Sequence, residues 1–168
     1  MSRTGFATAT AIACLWLAAS TATGQEVTRH PIPDSDFPIS RAVEIPADAN
    51  VVHLSGAVPS IVDETAPEGA AEAYGDTTAQ TVSVLESIRD SLADLGLGMG
   101  DIYRMQVFLV APDDAAAMDF AAFMQGYTRF FGTEDQPNLP VRSVVEVAGL
   151  ANPAWLVEIE VSAVRGAD

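Results

Sequence analysis

The sequence predicts an α+β fold, a mixed β-sheet with two helices packed on one face. Three observations carry this. Two stretches, Val82 to Leu95 and Phe120 to Phe130, repeat apolar residues at helical spacing. Several shorter stretches are β-branched or alternate apolar with polar residues. Glycines and prolines separate these stretches in the order strand, strand, helix, strand, helix, strand, strand. A chain in that order closes a core by laying both helices on one side of the sheet.

Residues 25–37 are polar and hold two prolines, so they read as an arm or a short edge strand. Ser40 to Ile45 reads as a strand. Asn50 to Val58 reads as a second, ending in a turn at Gly56 and Pro59. Asp63 to Asp76 is an acidic loop rich in alanine and glycine. Thr77 and Gln80 have the spacing of a capping box, with Thr77 at the N-cap. Behind them Val82, Leu85, Ile88, Leu92 and Leu95 form one helical face, and Gly96 stops the helix. Ile102 to Val110 is the next strand, with Tyr103, Met105, Val107 and Leu109 on one face. A second helix is expected from about Asp114 to Phe131, with Phe120, Phe123, Tyr127 and Phe130 inward and Gly132 as its stop. A rigid loop from Asp135 to Pro140 precedes strands over Val141 to Ala148 and Ala154 to Val164. Two helices cover only one face of such a sheet. Other copies of the chain are the natural cover for the second, which predicts a homo-oligomer.

The N-terminus reads as a cleavable signal peptide. Arg3 supplies the positive charge, Ala7 to Ala19 the apolar run, and Ala22-Thr23-Gly24 the small residues before a cut at Gln25. The apolar run is about 13 residues, short of the ~20 of a spanning helix. Export to the periplasm or the medium is therefore expected, with no membrane contact after cleavage. Roughly 144 residues remain, one domain's worth. Cys14 is the only cysteine and leaves with the signal, so the mature chain has neither disulfide nor thiol nucleophile.

The full chain holds 23 acidic residues and eight arginines, with no lysine, for a net charge of −15. Loss of Arg3 takes this to −16. The missing lysines exclude Schiff-base catalysis and lysine-held pyridoxal phosphate. The negative charge argues against nucleic-acid binding, which needs basic surface. His30 and His53 are isolated from each other and show no metal-ligand spacing. Neither Walker nor Rossmann glycine pattern occurs, and Ser55 does not sit in a nucleophile elbow.

Two groups remain as candidates for chemistry. Arg142 opens a strand directly after the rigid loop, a good place for a bidentate carboxylate holder. Its plainer role is an ion pair with Glu146 or Glu158. Glu158 and Glu160 share one face of the last strand, where apolar neighbours suit a carboxylate that holds or deprotonates water. Their plainer role is a solvated strand face or an arginine partner.

The chain resembles the Rid family, also called YjgF or RidA-like, the reactive-intermediate imine deaminases. Ser55-Gly56-Ala57-Val58-Pro59 is similar to the family's Ser-Gly turn. Gly75-Asp76 through Gln80-Thr81 and on to Leu85 and Ile88 resembles the start of its first helix. Gly96-Leu97 to Asp101-Ile102 resembles its helix-to-strand link, and Tyr127 to Gly132 the end of its second helix. Pro140-Val141-Arg142-Ser143 resembles its Pro-x-Arg signature, and Val157-Glu158-Ile159-Glu160 its closing strand. The match spans residues 38–164, within a domain taken as 38–168.

The resemblance implies a chorismate-mutase-like fold, a homotrimer and a site in each cleft between subunits. It implies that Arg142 grips a substrate carboxylate, that Glu158 positions water, and that Ser55 lines the same pocket. The implied reaction is hydrolysis of a 2-imino or enamine acid to a 2-oxo acid and ammonia, with no metal or cofactor. Three positions depart from the family pattern. Ile39 stands for a tyrosine, Val144 for a cysteine and Met124 for an asparagine, which makes the pocket more apolar. The competing expectations are a trimer that binds a small carboxylate without turnover, a ribonuclease and a chaperone-like role.

Overall fold

A computed structural model describes residues 26–67 and 69–165. The segment expected to be a signal peptide, with Cys14, lies outside the described residues. Eight main elements follow one another: β1 (Thr28–Pro31), β2 (Ser40–Glu44), β3 (Asn50–His53), α1 (Thr77–Asp94), β4 (Ile102–Leu109), α2 (Phe120–Tyr127), β5 (Val141–Glu146) and β6 (Val157–Arg165). The first two strands pair antiparallel as a separate ribbon, so the polar arm contains a true strand.

The main sheet has the order β3-β6-β4-β5. The long β6 runs antiparallel to both neighbours, and β4 runs parallel to β5. A parallel pair needs a crossover between its strands, and the segment containing α2 supplies it. Alternation then sorts the faces. Met105, Val107 and Leu109 of β4 join Val157, Ile159, Val161 and Ala163 of β6 under the helices. Val84, Leu85, Ile88 and Leu92 of α1 and Phe123 and Tyr127 of α2 close the core from above. Gly126 lets the helices approach, since a Cβ there would press on Thr81. The opposite face carries Arg104, Gln106, Phe108, Ser143, Val145, Glu158 and Glu160, and among the described residues no helix lies on it.

Four local expectations are corrected. Asp76, not Thr77, caps α1, accepting from the Ala79 amide at 2.8 Å. Thr77 is the first helical residue, and its hydroxyl is buried without a partner among the described residues. The register of β4 against β6 shifts between Ile102 and Arg104, so Ile102 enters the core and Tyr103 sits only half-buried. The second helix starts at Phe120 rather than near Asp114, because Asp119 caps it by accepting from the Ala122 amide. Past Tyr127 the chain continues as turns. Phe131, not Phe130, folds fully inward and stacks on Tyr127 at 4.7 Å.

Candidate functional site

Arg142 is the second residue of β5 and lies opposite Met105 in the register. Met105 is a core residue, so the arginine side chain leaves the sheet toward the helices. Its guanidinium carbon stands 4.1 Å from the Tyr127 ring centroid, 5.1 Å from Phe123 and 5.6 Å from Phe37. Nη2 lies 3.3 Å from the thioether sulfur of Met124, a weak acceptor. Nη1 is buried and has no partner among the described residues. Burial pushes the guanidinium below its ordinary pKa, and the neighbouring phenol of Tyr127 opposes that shift.

Neither proposed acidic partner is present. Glu146 accepts from the Met118 amide at 2.6 Å. Glu158 lies opposite Phe108, on the face away from the helices. Arg142 is thus a half-buried cation held by three aromatic faces and the Met124 thioether, an arrangement that attracts the cation without neutralising it. Tyr127 donates its hydroxyl to the Pro38 carbonyl at 2.8 Å. Burial pushes its pKa up to about 12, against the pull of Arg142.

Ser55 and Glu158 form a second group. Leu54 donates to the Val161 carbonyl, whereas Ala57 pairs with Ile159. Ser55 and Gly56 therefore stand together opposite the single Glu160, a β-bulge that turns the backbone out of the ladder. Gly56 meets the Glu158 carboxylate so closely that a Cβ would collide with it. Ser55 is exposed beside this contact.

The two groups do not meet within one chain. Arg142 and Glu158 face opposite sides of the sheet, two strands apart and three residues out of step along β4. Strand geometry puts their Cα atoms roughly 14 Å apart. Of the other candidates, Met124 touches Arg142, and Ile39 shares with it the rim of one cavity. Val144 faces the same way as Arg142 but packs against the core. His53 is exposed and hydrogen-bonds Ser162 at 2.8 Å. Among the described residues no cluster of histidine, cysteine and carboxylate could hold a metal. Phe37, Phe123 and Tyr127 were not among the expected site residues. Their signal was the aromatic spacing of α2, which reads equally well as core.

Residues 32–165 match the family model described as Endoribonuclease L-PSP. The chain is 35% identical to a RutC family protein of Haemophilus influenzae, over 76% of this chain and 87% of that one. The chain belongs to the Rid (YjgF) family. It is also 34% identical to the 2-iminobutanoate/2-iminopropanoate deaminase of Escherichia coli, over 69% of this chain and 80% of the relative. Among solved structures, E. coli TdcF with bound serine aligns with a TM-score of 0.55 at 27% identity. The alignment covers 84% of this chain and 99% of TdcF. The fold is that of the family, and imine deaminases are among its relatives.

Proposed function

We propose that this Rid protein is an exported deaminase that hydrolyses 2-imino or enamine acids to 2-oxo acids and ammonia. The observation that carries the reading is the uncompensated guanidinium of Arg142. A buried donor without an acceptor is costly, and an arriving carboxylate would satisfy Nη1 and outcompete the Met124 thioether. The imine carbon is already electrophilic, so the protein has mainly to fix its orientation and supply a water. Arg142 fixes the carboxylate end. Glu158 holds the water and takes one of its protons as the C–O bond forms; that proton and then the hydroxyl proton pass to the nitrogen, and the C–N bond breaks to leave the 2-oxo acid and ammonia.

Because Arg142 and Glu158 diverge in one chain, the reading places the site between copies. One copy presents Arg142, Ile39 and Met124, and the next presents Ser55, Gly56 and Glu158. The family's trimer provides such clefts, and the uncovered sheet face supplies the surface to build it. Ile39 and Met124 give the carboxylate end an apolar wall, which favours substrates with hydrocarbon side chains. The ribonuclease reading finds little support in a lysine-free chain of charge −15.

The test supplies imines in place with an amino-acid oxidase and follows 2-oxo acid release. Release above the spontaneous rate is expected. Arg142→Ala should lower kcat/KM by roughly 100-fold, the equivalent of about 3 kcal/mol of a broken buried charge interaction. No excess over spontaneous hydrolysis with wild-type protein would sink the enzyme reading. Ligand binding without turnover would leave the binding-module alternative standing.

A further inference from the structure

The acceptor that the Arg142 guanidinium meets is a sulfur, the Met124 thioether at 3.3 Å from Nη2. Nη1 beside it is buried and has no partner among the described residues. Met124 lies on α2 one residue after Phe123 and three before Tyr127, whose rings flank the same guanidinium. Its carbonyl accepts from the Thr128 amide at 3.1 Å and the Thr128 hydroxyl at 2.9 Å, so its backbone is pinned. The unbranched side chain is the part free to respond. Met124 is half-buried, as are Met99 and Met118, whereas Met105 lies in the core. Among the described residues it is the one methionine whose sulfur hydrogen-bonds a cation.

A thioether is a weak acceptor, which an arriving carboxylate displaces easily. It is also the side chain here that peroxides oxidise reversibly. The sulfur lone pair attacks one oxygen of hydrogen peroxide and the O–O bond breaks. The leaving hydroxide takes the proton of the transferred oxygen, so thioether and peroxide give sulfoxide and water. Sulfur is oxidised by two electrons and the peroxide is reduced. A cleft that admits an imino acid also admits this smaller molecule. An oxygen-dependent amino-acid oxidase releases one hydrogen peroxide with each imino acid, so that class of reaction supplies substrate and oxidant together.

We infer that Met124 is an oxidation site that switches the Arg142 anchor off. The sulfoxide oxygen is a strong, polar acceptor attached where the weak one stood. It takes the Nη2 donor, and the guanidinium fork brings Nη1 within its reach. A substrate carboxylate must then break an internal charge-assisted hydrogen bond rather than displace a thioether. The same oxygen makes the Met124 wall polar, which disfavours hydrocarbon side chains. Reduction by a thiol-dependent methionine sulfoxide reductase removes the oxygen as water and restores the anchor. The inference rests on the reading of Arg142 as the carboxylate holder and adds a control on that site.

The test treats the intact protein with graded hydrogen peroxide, removes the excess with catalase, and assays deamination with catalase present. Mass spectrometry of peptides follows each methionine. KM is expected to rise by about ten-fold or more in step with Met124 sulfoxide, with a smaller change in kcat. Sulfoxide reductases of both epimer specificities, with dithiothreitol, should restore it. Met124→Leu should hold its own untreated kcat/KM through the same treatment, whereas Met99→Leu and Met118→Leu should lose theirs as the wild type does. Equal loss in Met124→Leu, or complete Met124 oxidation with KM unchanged, would overturn the inference. Untreated protein without turnover would sink the deaminase reading instead, and the switch is then read on Arg142 directly. Its Nε–H resonance, assigned by its absence from Arg142→Lys, should move on oxidation and return on reduction. A resonance that stays in place while Met124 is oxidised overturns the inference whether or not the protein is a deaminase.

Discussion

A guanidinium withdrawn from water ordinarily finds a carboxylate, because an unpaired buried charge costs several kcal/mol. Arg142 finds Tyr127, Phe123 and Phe37 instead. Tyr127 shares the burden, since its phenol is fully buried and tied to Pro38. Its pKa rises from 10.0 to about 12 on folding. The folded state therefore keeps the phenolic proton when the unfolded chain has lost it. That contribution is complete below pH 10 and disappears as pH climbs to 12, by at most about 3 kcal/mol. Urea unfolding of wild type and Tyr127→Phe between pH 8 and 12 should show the wild type losing stability faster. Parallel curves would reject the assignment. Gly56 makes the matching argument on the other group. Gly56→Ala should lower deaminase kcat/KM ten-fold or more, because the new methyl displaces the Glu158 carboxylate. Unchanged kinetics would mean that Glu158 need not hold its place. At this scale the sequence made Arg142 and Glu158 visible, since a charge beside proline or within an apolar strand is conspicuous. It could not show that three aromatic rings surround Arg142, because Phe37 comes from a segment with no regular pattern and the others double as core.

The elements are held at their ends by unequal means. Asp76 caps α1 with one exposed hydrogen bond, so Asp76→Ala should cost about 1 kcal/mol. Gln80, one turn in, is fully buried and makes three contacts. Its amide nitrogen donates to the carbonyls of Gly75 and Ala154, each at 3.0 Å, and its oxygen accepts from the Leu156 amide at 2.7 Å. One side chain thus ties the start of α1 to the end of the acidic loop and to the segment leading into β6. The same region packs Tyr74 edge-on against Trp155 at 6.4 Å, a small second core. Gln80→Leu would strand backbone groups away from water and should cost roughly 3 kcal/mol, well above the cap. Equal losses in urea denaturation for the two variants would refute this ranking. The helical and strand periods were legible in the sequence because they reflect one buried face each. The spacing of Thr77 and Gln80 misleads because Gln80 spends two of its three hydrogen bonds on partners more than 70 residues away, which local spacing cannot reveal. The second helix was overextended for a related reason. Phe131 reaches the core from a turn, and an apolar residue at roughly the right spacing looks helical either way.

For the whole molecule, the decisive fact is the divergence of the two candidate groups across the sheet. Order β3-β6-β4-β5 puts Ser55 and Arg142 toward opposite edges, and alternation sends Arg142 and Glu158 to opposite faces. No rotamer change moves a side chain through a packed sheet, so a single copy cannot bring both to one small substrate. A closed ring of copies can, because each interface then joins unlike surfaces of neighbours. This makes a prediction that one chain acting alone cannot meet. Arg142→Ala and Glu158→Ala should each be nearly inactive by themselves. When the two variants are unfolded together and reassembled in equal amounts, some interfaces receive Arg142 from one variant and Glu158 from the other. Random mixing restores about a quarter of the interfaces. Deaminase activity of the mixture should therefore recover to about that fraction of wild type, provided the reassembled protein is oligomeric by light scattering. If mixed oligomers form and no activity returns, Arg142 and Glu158 do not serve one site across an interface. The sheet face that carries Glu158 would then need another role.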